Sequence, residues 1–416
     1  MDAIWLDFFK RKSKIFSKIF ESENRRFELR FFIFKILMFM RYYINMKNFW
    51  QKYKEIIIIF ICWWAVINIF AFLVAHRFNL EHDTAYIWMG DEWWPESPKS
   101  FVNLHARWDS EWYIDIVENG YSCQPKALCN AVFFPLYPFL IKIFSFLPGV
   151  NSYLAAFLIS NLSLFGAVIA FYNLLLLKYS PQIAQRAIWF LLIFPTSFFF
   201  TTIYTESLFL FLSILCFYFT FKSKWKMAGL IGLLASFTRI TGFLLFFPLI
   251  WEFFKKNKKL SFQVSWLGLT LLGPIAFFAY HWKKFGDFFL FLKVEAHWGR
   301  SFFTLNWDHF KLLTDPARVN LFLDLLILIF VLISIIFIWK RIRKSYALYM
   351  GLTLAAPLAT GTLMSINRYV LVLFPFYILM AFWAEKNPRF ERIYIMTSIL
   401  LLALYTTLFV NNYWAG

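Results

Sequence analysis

The sequence predicts an all-α polytopic membrane protein, with about eleven membrane helices and further helices lying along its external surface. Three observations carry this. Of 416 residues, 61% are hydrophobic and only 16% charged, more apolar surface than a soluble fold buries. Uncharged runs of about 20 residues, the length a helix needs to cross hydrocarbon, recur at 56–75, 152–177, 187–205, 345–367 and 393–411. They are continuous in Phe, Leu and Ile, unlike the short alternating strands of a β-barrel. Finally, the +18 net charge is gathered in short loops beside these runs. Lys222, Lys224 and Lys226, then Lys255, Lys256, Lys258 and Lys259, then Lys340, Arg341, Arg343 and Lys344, then Lys386, Arg389 and Arg392 mark cytoplasmic loops by the positive-inside rule. That distribution excludes a nucleic-acid-binding reading of the net charge.

Taken in order, residues 1–54 hold thirteen Lys/Arg against five Asp/Glu, with aromatics interleaved as in FFKRKSKIFSKIF. They read as basic amphipathic helices on an anionic cytoplasmic leaflet, preceding a single transmembrane domain, 55–416. Charge interrupts every apolar run here and no small-residue cleavage site follows, so no cleavable signal is expected. Met46 is an alternative start. The run 56–75 then crosses outward, and 76–150 forms an external loop with nine Asp/Glu against five Lys/Arg. Within that loop FFPLYPFLIKIFSFL (133–147) reads as a juxtamembrane or re-entrant helix; as a full span it would invert everything after it.

With 133–147 outside, 152–177 runs inward, 186–203 outward and 205–221 inward. Two lysine clusters then flank a stretch too short for two full spans. Either two half-helices meet near TRITG (238–242), where Gly242 suits a break, or one tilted span carries a snorkelling Arg239. The runs 263–281, 319–339, 345–363, 368–384 and 393–411 complete the set, with a second external loop at 282–318 expected to cover the site. The inverted repeats of many transporters are not visible.

Cys62 and Cys216 fall within spans and read as packing residues. Cys123 and Cys129, in CQPKALC, lie in the first external loop, where an oxidising compartment permits a disulfide without requiring one. His105, His281, His297 and His309 show no ligand spacing, so no structural zinc is expected.

The stretch RWDSEWYIDIVENGY (107–121) concentrates four carboxylates, Asp109, Glu111, Asp115 and Glu118, in a greasy chain. As a helix it turns Trp108, Trp112, Ile116 and Val117 toward the membrane and Asp109, Tyr113 and Asp115 elsewhere. An interfacial helix with an aromatic belt explains the aromatics, and an Asp early in a helix stabilises its N-terminus. A carboxylate beside desolvating aromatics can equally act as general base on a hydroxyl acceptor. Glu206, beside Tyr204, is the only charge between Ala187 and Phe221: a helix N-terminal carboxylate or a sugar contact. Arg239 and Arg368 lie within or at the edge of apolar segments, where arginine is costly unless paired; the planar guanidinium suits phosphate. Arg368 also reads as an ordinary snorkelling residue.

The motifs ARWDSEWYIDIVENGY, FFPLYP, FPTSFFFTTIYTESLFL, ASFTRITG and NRYVLVLFP, in this order, resemble the PIG-V-type mannosyltransferases, that is, GPI mannosyltransferase II and its prokaryotic relatives, membrane glycosyltransferases of the GT-C fold. The resemblance covers about 105–375 and leaves 1–54 outside. It implies a GT-C-like fold and inverting transfer of a sugar, typically mannose, from a polyprenyl-phosphate donor to a hydroxyl on the external face. Asp109, the acid of the matching motif, is then the catalytic residue. Arg368 and Arg239 become the donor-phosphate ligands, and Arg107, Trp108, Glu111, Tyr113, Tyr204 and Glu206 the substrate contacts, with Arg107 either orienting Asp109 or meeting an acceptor phosphate. No cofactor or divalent metal is implied beyond the polyprenyl-phosphate sugar as co-substrate. The expected partners are the lipid bilayer, that donor, and an acceptor that is a glycolipid, polymer or protein. The Phe/Ile/Lys-rich composition points to a prokaryotic plasma membrane. Two rival classes are a transporter or flippase of lipid-linked sugars, and a non-catalytic partner subunit of a glycosyltransferase.

Overall fold

In the computed structural model every described element is helical. The structure describes residues 23–77, 101–123, 129–257, 261–297, 300, 319–363, 365–413 and 415. The expected basic segment before residue 23, Lys258 and Lys259, and most of the expected covering loop, 301–318, lie outside the described residues. The chain divides into two units, Met1–Ile57 and Ile58–Gly416. In the first, residues 23–57 are helical; the second carries everything that follows.

Five helices are long and apolar enough to cross a membrane: α1 (Glu23–Arg77) through its Asn48–Arg77 part, α4 (Ser152–Leu175), α9 (Phe262–Phe285, 3₁₀ and α turns in succession), α11 (Val319–Arg341) and α15 (Pro388–Val410). Their large apolar side chains stay exposed in stripes along one helix face, as at Leu326, Ile329, Ile333 and Ile336 of α11, and at Met396, Leu400 and Leu404 of α15. On helices of this length and hydropathy such stripes suit a hydrocarbon environment. The protein is an integral membrane protein.

The remaining elements are shorter: α2 (Asp109–Asn119), α3 (Leu136–Phe144), α5 (Pro181–Leu192), α6 (Glu206–Phe221), α7 (Trp225–Thr238), α8 (Phe246–Lys256), α10 (Leu290–His297), α12 (Lys344–Leu358), α13 (Ile366–Leu371) and α14 (Phe374–Lys386). The core packs α4 on α6, α6 on α7, and α5 on α14. Asn151 opens α4 by accepting from the Leu154 N–H at 2.8 Å, and Ser180 with Pro181 opens α5.

Two expected spans are interrupted. The run 186–203 stops being α-helical after Leu192, because Pro195 of FPTSFFF supplies no N–H and disfavours helix at the residue before it; a 3₁₀ turn, Ser197–Phe200, follows. The run 368–384 breaks between Leu371 and Phe374, with Pro375 in the first turn of α14.

The stretch 226–254 is a hairpin. Arg239 is extended (φ −150°, ψ 150°) between α7 and a 3₁₀ turn, Ile240–Leu245, and α8 then returns. The two ends lie together: Trp225 meets Phe253 at 4.9 Å between rings, and Lys256 Nζ donates to the Thr220 and Phe221 carbonyls at 2.9 and 2.7 Å. The basic loops therefore gather at one end of the helices, and the apex bearing Arg239 lies at the other.

At that other end α2 and α3 form a covering layer. Lys142 of α3 donates to the Val117 carbonyl at 3.0 Å. Trp112, Ile116 and Val117, expected against lipid, are instead buried, because Phe133 and α3 occupy that face: Trp112 stacks on Phe133 and Tyr113 meets Phe133 and Tyr137 edge-on. Cys123 and Cys129 are disulfide-bonded, and Cys129 packs with Ala131 against Val294 of α10.

Candidate active site

Asp109 opens α2 directly after Trp108, whose backbone (φ 55°, ψ −116°) lies where L-residues are rarely found, a conformation costing about 1–3 kcal/mol that surrounding contacts must offset. Tyr204 holds it from both sides. Its hydroxyl accepts from the Asp109 N–H at 3.3 Å and donates to the Arg107 carbonyl at 2.9 Å. Beneath the turn, Arg107 is 2% exposed and donates to the carbonyls of Asn103 and Ala106 at 2.9 Å and of Val410 at 3.5 Å. These bonds brace the backbone before Asp109. Two of these carbonyls are local and the third, Val410, comes from the end of α15.

Arg368 comes from α13, which likewise begins on a positive φ, Ser365 at 65°. The neighbouring Asn367 anchors it: its amide donates to Asp324 of α11, and its carbonyl accepts from Thr196 Oγ1 at 3.3 Å. Arg368 then bridges two acids. Nη1 donates to Asp109 Oδ2 at 2.9 Å, while Nε and Nη2 donate to Glu206 Oε1 at 3.1 and 3.0 Å. Arg239 Nη1 approaches the same Glu206 oxygen at 3.0 Å as an ion pair without hydrogen-bond alignment. Glu206 Oε2 is left buried with no hydrogen-bond partner among the described residues.

Aromatic faces enclose the quartet, with Tyr204 and Phe199 4.6 and 5.0 Å from the Arg368 guanidinium and Tyr369 5.2 Å from that of Arg239. Two positive and two negative charges balance, as charges withdrawn from water must. Side-chain exposure climbs from 0% at Glu206 through 8% at Arg368 to 20% at Asp109, so the cluster opens at Asp109.

The other expected contacts divide. Tyr113 lies beneath Glu206, its hydroxyl donating to Thr205 Oγ1 at 3.5 Å. Glu111 turns to α4 and accepts from the Tyr153 hydroxyl at 2.9 Å; burial pushes its carboxyl pKa up, partly offset by that bond and by Arg107. Asp115 accepts from Asn130 at 2.6 Å and from Asn119 at 2.9 Å. Tyr369, Arg300 and Glu295 were not singled out as site residues, although the last two lie in the loop 282–318 expected to cover the site: Arg300 donates to the Tyr369 hydroxyl at 3.3 Å and pairs with Glu295 at 3.5 Å. Burial raises the Glu295 pKa and Arg300 pulls it back. Tyr369 had a signal, directly following Arg368; the other two sit among many charges in a mixed loop.

A partly exposed carboxylate, buried arginines behind it and aromatic faces around them make a site for an anion and a hydroxyl-bearing molecule. Residues 91–261 match the PIG-V mannosyltransferase family. The matching model, described as Mannosyltransferase (PIG-V), takes in Asp109, Tyr204, Glu206 and Arg239 and ends before Arg368. Among solved structures, ArnT from Cupriavidus metallidurans bound to undecaprenyl phosphate is similar at 13% identity and a TM-score of 0.49, over 83% of this chain. The chain spans 63% of the length of that structure. No curated protein matches this chain.

Proposed function

We propose that the protein is an inverting glycosyltransferase of GT-C type, moving a sugar, mannose first among candidates, from a polyprenyl-phosphate donor to a hydroxyl acceptor on the external membrane face. The observation that carries this is the Asp109–Arg368–Glu206–Arg239 quartet, three of whose members fall inside the PIG-V match.

Asp109 Oδ takes the proton of the acceptor hydroxyl as its oxygen bonds to the anomeric carbon. On the opposite face the bond from that carbon to the phosphate oxygen breaks, and polyprenyl phosphate leaves with the electron pair, inverting the configuration. Phosphate needs charge stabilisation more than a proton, and Arg368 and Arg239 supply it without a divalent metal. The donor phosphate displaces Asp109 from Arg368 Nη1, which frees a carboxylate to serve as base. Glu206 keeps both arginines ionised and aimed, and its unpartnered Oε2 accepts from a donor hydroxyl. The lipid enters sideways between helices and the acceptor, a glycolipid, polymer or protein, arrives over α2. The basic loops at the opposite end of the helices support an external site in a prokaryotic plasma membrane.

The test is transfer of radiolabelled mannose from polyprenyl-phosphate-mannose in membranes holding the unaltered chain or Asp109→Asn at matched expression. Loss of a general base lowers turnover by about 10²–10⁴, and the variant should still bind donor. Equal transfer by both would remove Asp109 from the chemistry. Donor movement across the bilayer without transfer would favour the transporter reading.

A further inference from the structure

At the basic end of the helices, remote from Asp109, two cavities adjoin. One, of about 290 Å³, is lined by Lys178, Lys255, Lys340, Arg341, Arg343 and Lys344. The other, of about 770 Å³, is lined by Phe247, Ile250, Trp251 and Phe254 of α8 and by Leu348 and Leu352 of α12, and it shares Lys255 and Lys344 with the first. Polar and apolar halves are therefore continuous.

Arg343 is already satisfied: its Nε and Nη2 donate to the two oxygens of Glu252 at 2.8 and 2.7 Å. Lys178, Lys255, Lys340, Arg341 and Lys344 have no carboxylate within ion-pair distance among the described residues. Cations at helix C-termini offset the carbonyl ends, which accounts for Lys255, Lys340 and Arg341 one at a time. It does not account for Lys344, which begins α12, where a cation is unfavourable. Glu252, the carboxylate beside the cavity, is already engaged by Arg343, so five such charges around one cavity retain an excess of positive charge that favours an anion.

The apolar half has a matching logic. α8 turns Leu249, Glu252 and Phe253 inward and leaves Phe247, Trp251 and Phe254 at 41%, 41% and 48% exposure. With Ile250, the exposed residues follow the i, i+3, i+4, i+7 spacing of one helix face. Trp251 and Trp339 stand 6.1 Å apart near the junction, where aromatic residues mark the membrane–water boundary.

We propose that this composite holds an anionic glycerophospholipid of the leaflet next to the basic loops. Its phosphodiester lies among Lys178, Lys340, Arg341 and Lys344, and its acyl chains lie along the groove between α8 and α12. A zwitterionic lipid would bring its own cation into the basic half, and a free phosphate would leave the apolar half uncovered.

The experiment is native mass spectrometry of the full chain, stripped of lipid in detergent, titrated separately with phosphatidylglycerol, phosphatidylcholine and inorganic phosphate, with thermal unfolding followed in parallel. The expected result is one retained phosphatidylglycerol, at least tenfold tighter than phosphatidylcholine. The Lys340→Gln/Arg341→Gln/Lys344→Gln variant should lose that preference, and the charge-preserving Lys340→Arg/Lys344→Arg variant should keep it. The single Lys178→Gln, beyond the end of α4, should weaken it and provides the reading if the triple variant fails to fold. Equal retention of the two lipids, or of phosphatidylglycerol by the unaltered chain and the glutamine variants, would overturn the proposal. A thermal shift with phosphate alone equal to that with phosphatidylglycerol would overturn the lipid as occupant.

Discussion

Glu206 offers one oxygen to two arginines from different parts of the chain, and its removal takes from Arg239 its ion-pair partner among the described residues and leaves Arg368 with Asp109 alone. Losing one partner of a buried ion pair costs about 3–5 kcal/mol, so Glu206→Gln should lower the unfolding free energy by about that much, with a lower denaturation midpoint in detergent, and abolish transfer. Arg368→Lys keeps the charge but loses the fork that spans Asp109 and Glu206; its transfer rate should fall well below that of the unaltered chain while the unfolding midpoint moves less than for Glu206→Gln. His105 gives a pH dependence. Burial, with Arg107 nearby, lowers its pKa from 6.5 to about 3, so the unfolded chain takes up a proton below about pH 6.5 that the folded one refuses. Stability contributed at neutral pH is thus lost progressively as pH falls from about 6.5 towards 3. The ring packs against Phe101 and Phe157; His105→Phe should keep that packing and flatten the fall in melting temperature between about pH 7 and 5.

The hairpin of α7 and α8 is the element that places Arg239 beside Glu206, and it depends on Gly242. A Cβ there would lie 2.6 Å from the Ser236 Cα, backbone that cannot swing aside. Gly242→Val should therefore depress both transfer and the unfolding midpoint, whereas Gly268→Ala, where a Cβ meets nothing within 4 Å, should leave both unchanged. The break at TRITG was only half legible: two lysine clusters flanking too few residues for two spans, with a glycine between them, left a hairpin and a single tilted span both open, and the extended Arg239 decided for the hairpin. Arg239, Arg368 and Glu206 were legible for a related reason: charge in an apolar stretch must find a partner. The burial of Trp112, Ile116 and Val117 was not. An amphipathic helix announces that it has an apolar face, not whether lipid or Phe133 covers it.

For the whole molecule, the lysine- and arginine-rich ends of α6, α8 and α11 come together, and the Asp109 cluster sits at the opposite ends, about 24 Å away along the 16 residues of α6. Single cysteines at the exposed positions Glu118 and Lys224, in a Cys62→Ser background, should accordingly label from opposite sides of intact cells with a membrane-impermeant maleimide: Glu118→Cys directly, Lys224→Cys only after permeabilisation. Labelling of both from outside would remove the external placement of the site. Hydropathy and loop charge determined from sequence alone that the chain lies in a bilayer as helices, because both are summed over local residues and the bilayer sorts segments by them. Motif order also determined the family likeness. Only the tertiary structure decided which charges meet: Asp109 and Arg368 are 259 residues apart, Glu206 and Arg368 162, and a buried charge declares its need for a partner without naming one. It also brought Arg107 to the Val410 carbonyl. Such pairings depend on ångström-scale convergence of distant elements, for which a linear pattern carries no signal.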